Sequence, residues 1–116
     1  MIYKVVSQHA LSEWSNHHQV DQEYLWYGEG IDLRDHYIHC STQAQLTQTL
    51  SIYFTGRTDL ILLTFDDHDP TLSVTWESSR DQKLFPHIYH GISFNQIRAQ
   101  YPLVLSESQQ HILPWS

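Results

Sequence analysis

The stretch Asp59-Leu60-Ile61-Leu62-Leu63-Thr64-Phe65 constrains the fold more than any other part of the chain. It is the most hydrophobic run, and it is far too short to span a bilayer. Its apolar residues fall on both alternating faces, the pattern of a central strand covered above and below. The chain must supply the cover. Ile2-Tyr3-Lys4-Val5-Val6 is a short β-branched run and reads as a first strand. Ala10, Leu11 and Trp14 recur at helical spacing, predicting a helix to about His18, with Ser7 or His9 near its start.

His36-Tyr37-Ile38-His39-Cys40 alternates as a strand does, and a helix through about Phe54 follows it. Thr42 and Gln45 have capping-box spacing at its start, Leu46 and Leu50 line its inner face, and Gly56 is its stop. Further strands are expected at Ser73–Glu77, from Phe85 to Gly91, and at Leu103–Leu105, with a short helix near Asn95–Gln100. Ser78 to Lys83 reads as a polar loop. Gln19 to Asp35 reads as a long irregular segment carrying Tyr24, Trp26, Tyr27, Gly28 and Gly30. Such a loop suits either a pocket wall or a self-packed Ω-loop. With 116 residues and no repeat, the chain is expected to form one α+β domain over 1–116.

Charge narrows the partners. The net charge is -7 and only six cations are present, so no basic cluster can track a DNA or RNA backbone. An acidic surface also disfavours anionic membranes. The single cysteine allows neither an intrachain disulfide nor a cysteine-rich zinc site, and the amino terminus lacks the pattern of an export signal. A cytoplasmic location is the expectation.

Nine histidines direct attention to acid–base chemistry. His39 stands at a strand-to-helix junction beside Ser41 and Thr42, where free amides and a helix dipole favour a phosphate or carboxylate. The same residues also suit a hydrogen-bonded core histidine and a plain helix cap. Trp76-Glu77-Ser78-Ser79-Arg80 ends a strand with a carboxylate that could orient a ribose or act as a base, or simply pair with Arg80. In Phe85-Pro86-His87-Ile88-Tyr89 the proline stiffens the strand that holds His87. His36/His39 and His87/His90 are three apart on strands and point to opposite faces, which disfavours metal ligation. The Asp66-Asp67-His68-Asp69 segment lacks the glycine and distal glutamate of a calcium loop and reads as a solvated turn. Cys40 should face away from its neighbour His39, which disfavours a cysteine–histidine nucleophile made by those two.

Tyr37-Ile38-His39-Cys40-Ser41-Thr42, Trp76-Glu77-Ser78-Ser79-Arg80 and Phe85-Pro86-His87-Ile88-Tyr89, in that order, resemble the family known as domain of unknown function 952. Ile2-Tyr3-Lys4-Val5 and Asp59-Leu60-Ile61-Leu62-Leu63 match its pattern as well. His36 and His90 stand where that family usually has glycine. The resemblance implies an ADP-ribosyltransferase-like fold, a split pair of sheets that clasps a nicotinamide dinucleotide. On it, Tyr3-Lys4 takes the place of an Arg or His-Gly-Thr. Ile38-His39-Cys40-Ser41 resembles the histidine strand of the RNA 2'-phosphotransferase branch, and His87 falls where a catalytic glutamate strand comes. The implied function is an NAD-like or nucleotide ligand pocket, with transferase or glycohydrolase chemistry and NAD or ADP-ribose as substrate rather than resident cofactor. His39, Glu77 and His87 are the candidate catalytic groups. Tyr3, Lys4, Trp26, Ser41, Thr42, Arg80 and Tyr89 are the candidate ligand-binding groups. Two further readings stay open: a non-catalytic module for a metabolite or peptide built on Tyr24–Tyr27, and histidines that serve only the core.

Overall fold

The apolar run sits where its composition requires. Leu60–Phe65 is the middle strand of an antiparallel sheet, and four of its six residues are fully enclosed. The computed structural model describes residues 1–116. In chain order the elements are β1 (Ile2–Ser7), α1 (Gln8–Val20), β2 (Leu25–Trp26), α2 (Ile31–Asp35), β3 (Ile38–His39), α3 (Leu46–Tyr53) and β4 (Leu60–Phe65). There follow β5 (Val74–Ser78), β6 (Leu84–Ile88), β7 (Ile92–Ser93), β8 (Ala99–Pro102), β9 (Val104–Leu105) and β10 (His111–Ile112). The result is a mixed α+β fold with antiparallel sheets and three helices.

Two three-stranded sheets organise it, one ordered β1-β4-β8 and the other β3-β6-β5. They touch at one bridge, where Tyr3 and Ser41 exchange both backbone hydrogen bonds at 2.8 Å. Side-chain alternation along β1 and β4 then divides the interior. Ile2, Val6, Leu63 and Phe65 face a cluster with Leu11 and Trp14 of α1, whereas Tyr3, Val5, Leu60 and Leu62 face one with Leu46 and Leu50 of α3. Helix α1 begins as its sequence dictates, with the Ser7 hydroxyl accepting from the Ala10 amide at 3.0 Å. No helix is long and apolar enough to cross a membrane.

Several boundaries differ from the sequence reading. The Gln19–Asp35 segment is not structureless, since it holds β2 and α2. The strand expected at His36–Cys40 shortens to β3, because His36 closes α2 in the left-handed conformation at φ 65°. The short helix near Asn95 reduces to a single 3-10 turn at Phe94–Gln96, after which β8 forms unannounced. The helix expected from Thr42 opens as a 3-10 turn at Gln43–Gln45, and the Thr42 amide donates to Gln45 Oε1 at 3.0 Å.

Left-handed backbone disfavours any side chain but glycine's. The exposed His36 ring has no hydrogen-bond partner to offset that cost. The substitution His36→Gly is therefore expected to stabilise the protein by about 0.5–1 kcal/mol, seen as a rise of a few degrees in the thermal midpoint. An unchanged or lowered midpoint would count against strain there. His90 carries no such conformation; the positive φ falls one residue later, at Gly91.

Candidate functional site

Beside the Tyr3–Ser41 bridge a cavity of about 490 Å³ opens between β1 and β3, closed by α2, α3 and the turn after β5. Ligand pockets commonly fall in this volume range. The centre of its acidic wall is Asp32, which is only 1 % exposed. Lys4 Nζ reaches both carboxylate oxygens, at 3.0 and 2.8 Å. The His39 amide donates to Oδ1 at 2.9 Å, and His39 Nδ1 lies 2.6 Å from the same atom. A fifth contact comes from the Glu29 amide to Oδ2, at 3.2 Å. Gly28 permits this approach, because a Cβ at that position would overlap the Asp32 side chain. Burial pushes the Asp32 carboxyl upward, but the His39 hydrogen bond and the Lys4 ammonium outweigh it and leave the group below its ordinary value.

His39 and His87 are direct partners in the β3–β6 register, so both side chains emerge on one face. Their ring centroids are 5.6 Å apart, and Tyr37 lies against both, at 4.5 Å from His39 and 4.2 Å from His87. His39 Nε2 contacts Asp35 at 3.0 Å, so both of its ring nitrogens face carboxylates. Carboxylates only accept, so both contacts are hydrogen bonds only when both nitrogens carry protons.

His87 is 3 % exposed and its Nδ1 lies 2.7 Å from Glu77 Oε1, which also accepts from the Tyr89 hydroxyl at 2.6 Å. The Tyr89 and His87 contacts hold Glu77 below its ordinary range, and the same bond pushes the Tyr89 hydroxyl up to about 12. Glu77 is thus an acceptor at neutral pH, and His87 Nδ1 must donate to it. In the neutral ring that leaves Nε2, which has no protein partner, with its lone pair free.

Among the sequence-predicted residues, Tyr3, Lys4, His39, Ser41, Arg80 and His87 line the cavity. Lys4 lines it only with its ammonium engaged by Asp32. The other four do not. Trp26 is stacked on Trp14 at 4.5 Å and 12° in the core, an arrangement worth about 0.5–1.5 kcal/mol beyond area burial. It cannot stack on a ligand. Thr42 serves the helix start. Glu77 and Tyr89 lie beside His87, hydrogen-bonded around Glu77 on the same face of the β5–β6 pair, but not among the residues that line the cavity. The alternative partner considered for Glu77, Arg80, instead lies over Phe85 and Tyr53, 4.9 and 5.8 Å from the ring centroids.

Asp32 and Asp35 were visible in the sequence only as acids after a glycine pair, a signal too common to single them out. Cys40 is buried in the core, and burial pushes its thiol up to about 12, so it is no nucleophile at neutral pH. No group of three His, Cys, Asp or Glu side chains converges as a metal site.

Residues 9–100 match the model of a family described as Protein of unknown function (DUF952). The X-ray structure of protein CC0527 from Caulobacter crescentus is similar in fold, with a TM-score of 0.82 and 25 % identity, covering 97 % of this chain and 93 % of that one. The solution NMR structure of the same protein gives a TM-score of 0.79 at 26 % identity, over 94 % and 89 % of the two chains. No curated protein matches.

Proposed function

We propose, from the premise that this chain belongs to the DUF952 family, that its cleft binds an NAD-like nucleotide and that His87 is the base acting on it. The observation that carries the reading is the pair of facing histidines, each tied to a carboxylate through Nδ1, at the wall of a cavity large enough for a ligand. Core histidines need one partner each. They do not need to stand side by side on the wall of an open cleft, sharing one tyrosine. Two antiparallel sheets that meet at one bridge and part around a cavity also suit the split-sheet, ADP-ribosyltransferase-like arrangement expected from the family.

In this reading Tyr37 and Tyr53 offer faces to planar groups, and His39, fixed by Asp32, donates from Nε2 to a ribose hydroxyl in place of Asp35. Water held by His87 Nε2 attacks the anomeric carbon of the nicotinamide ribose. The carbon–nitrogen bond breaks, its electron pair leaves with neutral nicotinamide, and the water proton passes to His87. Glu77 then stabilises the imidazolium it faces. With an acceptor hydroxyl in place of water the same step is a transfer.

Calorimetric titration of the folded protein with NAD and with ADP-ribose tests the binding half. Saturable heat with at least one of them is expected, and no heat with either would end this reading. Release of free nicotinamide from bound NAD tests the chemical half. Saturable heat without any release would leave a non-catalytic binding module in its place.

A further inference from the structure

Three cations line the cleft: Lys4, Arg57 and Arg80. Lys4 is paired with Asp32 at 2.8 Å and Arg57 with Asp59 at 2.7 Å. Arg80 has no carboxylate partner, although the chain carries 13 acidic side chains against 6 Lys and Arg. In such an excess of acid an arginine left unpaired in a cavity calls for an external anion.

The guanidinium is also held in place. It lies over Phe85 and Tyr53, its Nη2 donates to Thr49 Oγ1 at 3.2 Å, and its Nε is enclosed with no acceptor at all. Ser41 Oγ stands 3.2 Å from Thr49 Oγ1, so a second hydroxyl is within reach of whatever binds the arginine. The turn that carries Arg80 is strained besides, since Asp81 and Gln82 follow it with φ of 58° and 60°. Backbone of that kind persists where the surroundings hold it, often at ligand clamps.

We infer that Arg80, with the Thr49 and Ser41 hydroxyls, is the anchor for a phosphoryl group, so that the cleft selects phosphorylated ribosides over free nucleosides. The inference rests on the nucleotide reading above and adds its direction. A planar fork of N–H donors matches two phosphoryl oxygens at once, and hydroxyls donate to a third. Asp32, Asp35 and Glu29 repel a phosphate from the histidine end. The phosphate therefore lies toward Arg80 and the ribose toward His39 and His87.

The test is calorimetry with ADP-ribose, adenosine, inorganic phosphate and acetate on the wild type, Arg80→Gln and Arg80→Lys, with melting curves to show that each variant is folded. ADP-ribose is expected to bind at least tenfold more tightly than adenosine. Arg80→Gln should erase that difference, and Arg80→Lys, which keeps the charge but loses the fork, should retain part of it. Phosphate should compete with ADP-ribose and acetate should not. ADP-ribose binding within twofold of wild type in Arg80→Gln would overturn the anchor while leaving the nucleotide reading standing. Arg80-dependent binding of phosphate without any binding of ADP-ribose or NAD would do the reverse. Acetate competing as well as phosphate would overturn the assignment to phosphate.

Discussion

Replacing Asp32 by alanine is expected to destabilise the protein by about 3–5 kcal/mol, the cost of leaving a buried charge without its partner. Lys4 has no other carboxylate within ion-pair distance, and its side chain is only 8 % exposed. The variant also strands the His39 amide and Nδ1. For a domain of this size that loss lowers the thermal midpoint by roughly 15–30 °C. Urea denaturation at pH 7 gives the magnitude. A change below about 1 kcal/mol would mean that the cluster is solvated and not a clamp.

Two companion measurements separate the charge effect from shape. The double variant Lys4→Met/Asp32→Leu should recover the part of the loss that comes from the stranded Lys4 charge, while the His39 and Glu29 donors stay unpaired. The pH dependence gives the sign. Asp32 has a folded-state pKa below its ordinary value, so its stabilisation is fully present above the usual carboxylate range and is lost as pH falls through the lowered value. Wild-type stability should therefore decline on acidification below about pH 4, and the double variant should show a shallower decline.

The second large effect concerns turnover. Exchanging His87 for asparagine keeps a donor beside Glu77 but removes the free ring nitrogen. If His87 is the base, nicotinamide release falls by about 10²–10⁴-fold while affinity for NAD stays within a few-fold. Glu77→Gln should cost less, since the base remains and loses only the carboxylate that orients it. It should also shift the pH profile of turnover, an effect that a purely structural role would not produce. Equal turnover in wild type and His87→Asn would remove His87 from the chemistry.

The two acids that organise the site show why it was only partly legible. A carboxylate after two glycines is an ordinary loop feature, and nothing in the sequence spacing joins Asp32 to Lys4, 28 residues away. The pairing exists because the tertiary fold brings Asp32 of α2 against Lys4 of β1. Trp26 failed for the opposite reason. An aromatic in a glycine-bearing segment looks like a pocket wall, yet the stacking surface offered by Trp14 captured it for the core. β8 went unread because Ala99 and Gln100 fall in the stretch expected to be a short helix, whereas they open an edge strand whose last residue, Pro102, need not donate.

What the sequence determined alone was everything set by local periodicity and composition. The run at Leu60–Phe65 had to be a central strand, Ser7 and Leu11–Trp14 had to make a helix, and alternation had to place His39 and Cys40 on opposite faces. These follow from backbone geometry, which a short window contains. Which groups meet in the cleft was decided by tertiary structure only. The antiparallel register brings His39 opposite His87, and the two three-stranded sheets leave a gap beside their single bridge. Contacts of that kind join residues far apart in the chain, and their energy depends on burial that no local stretch encodes.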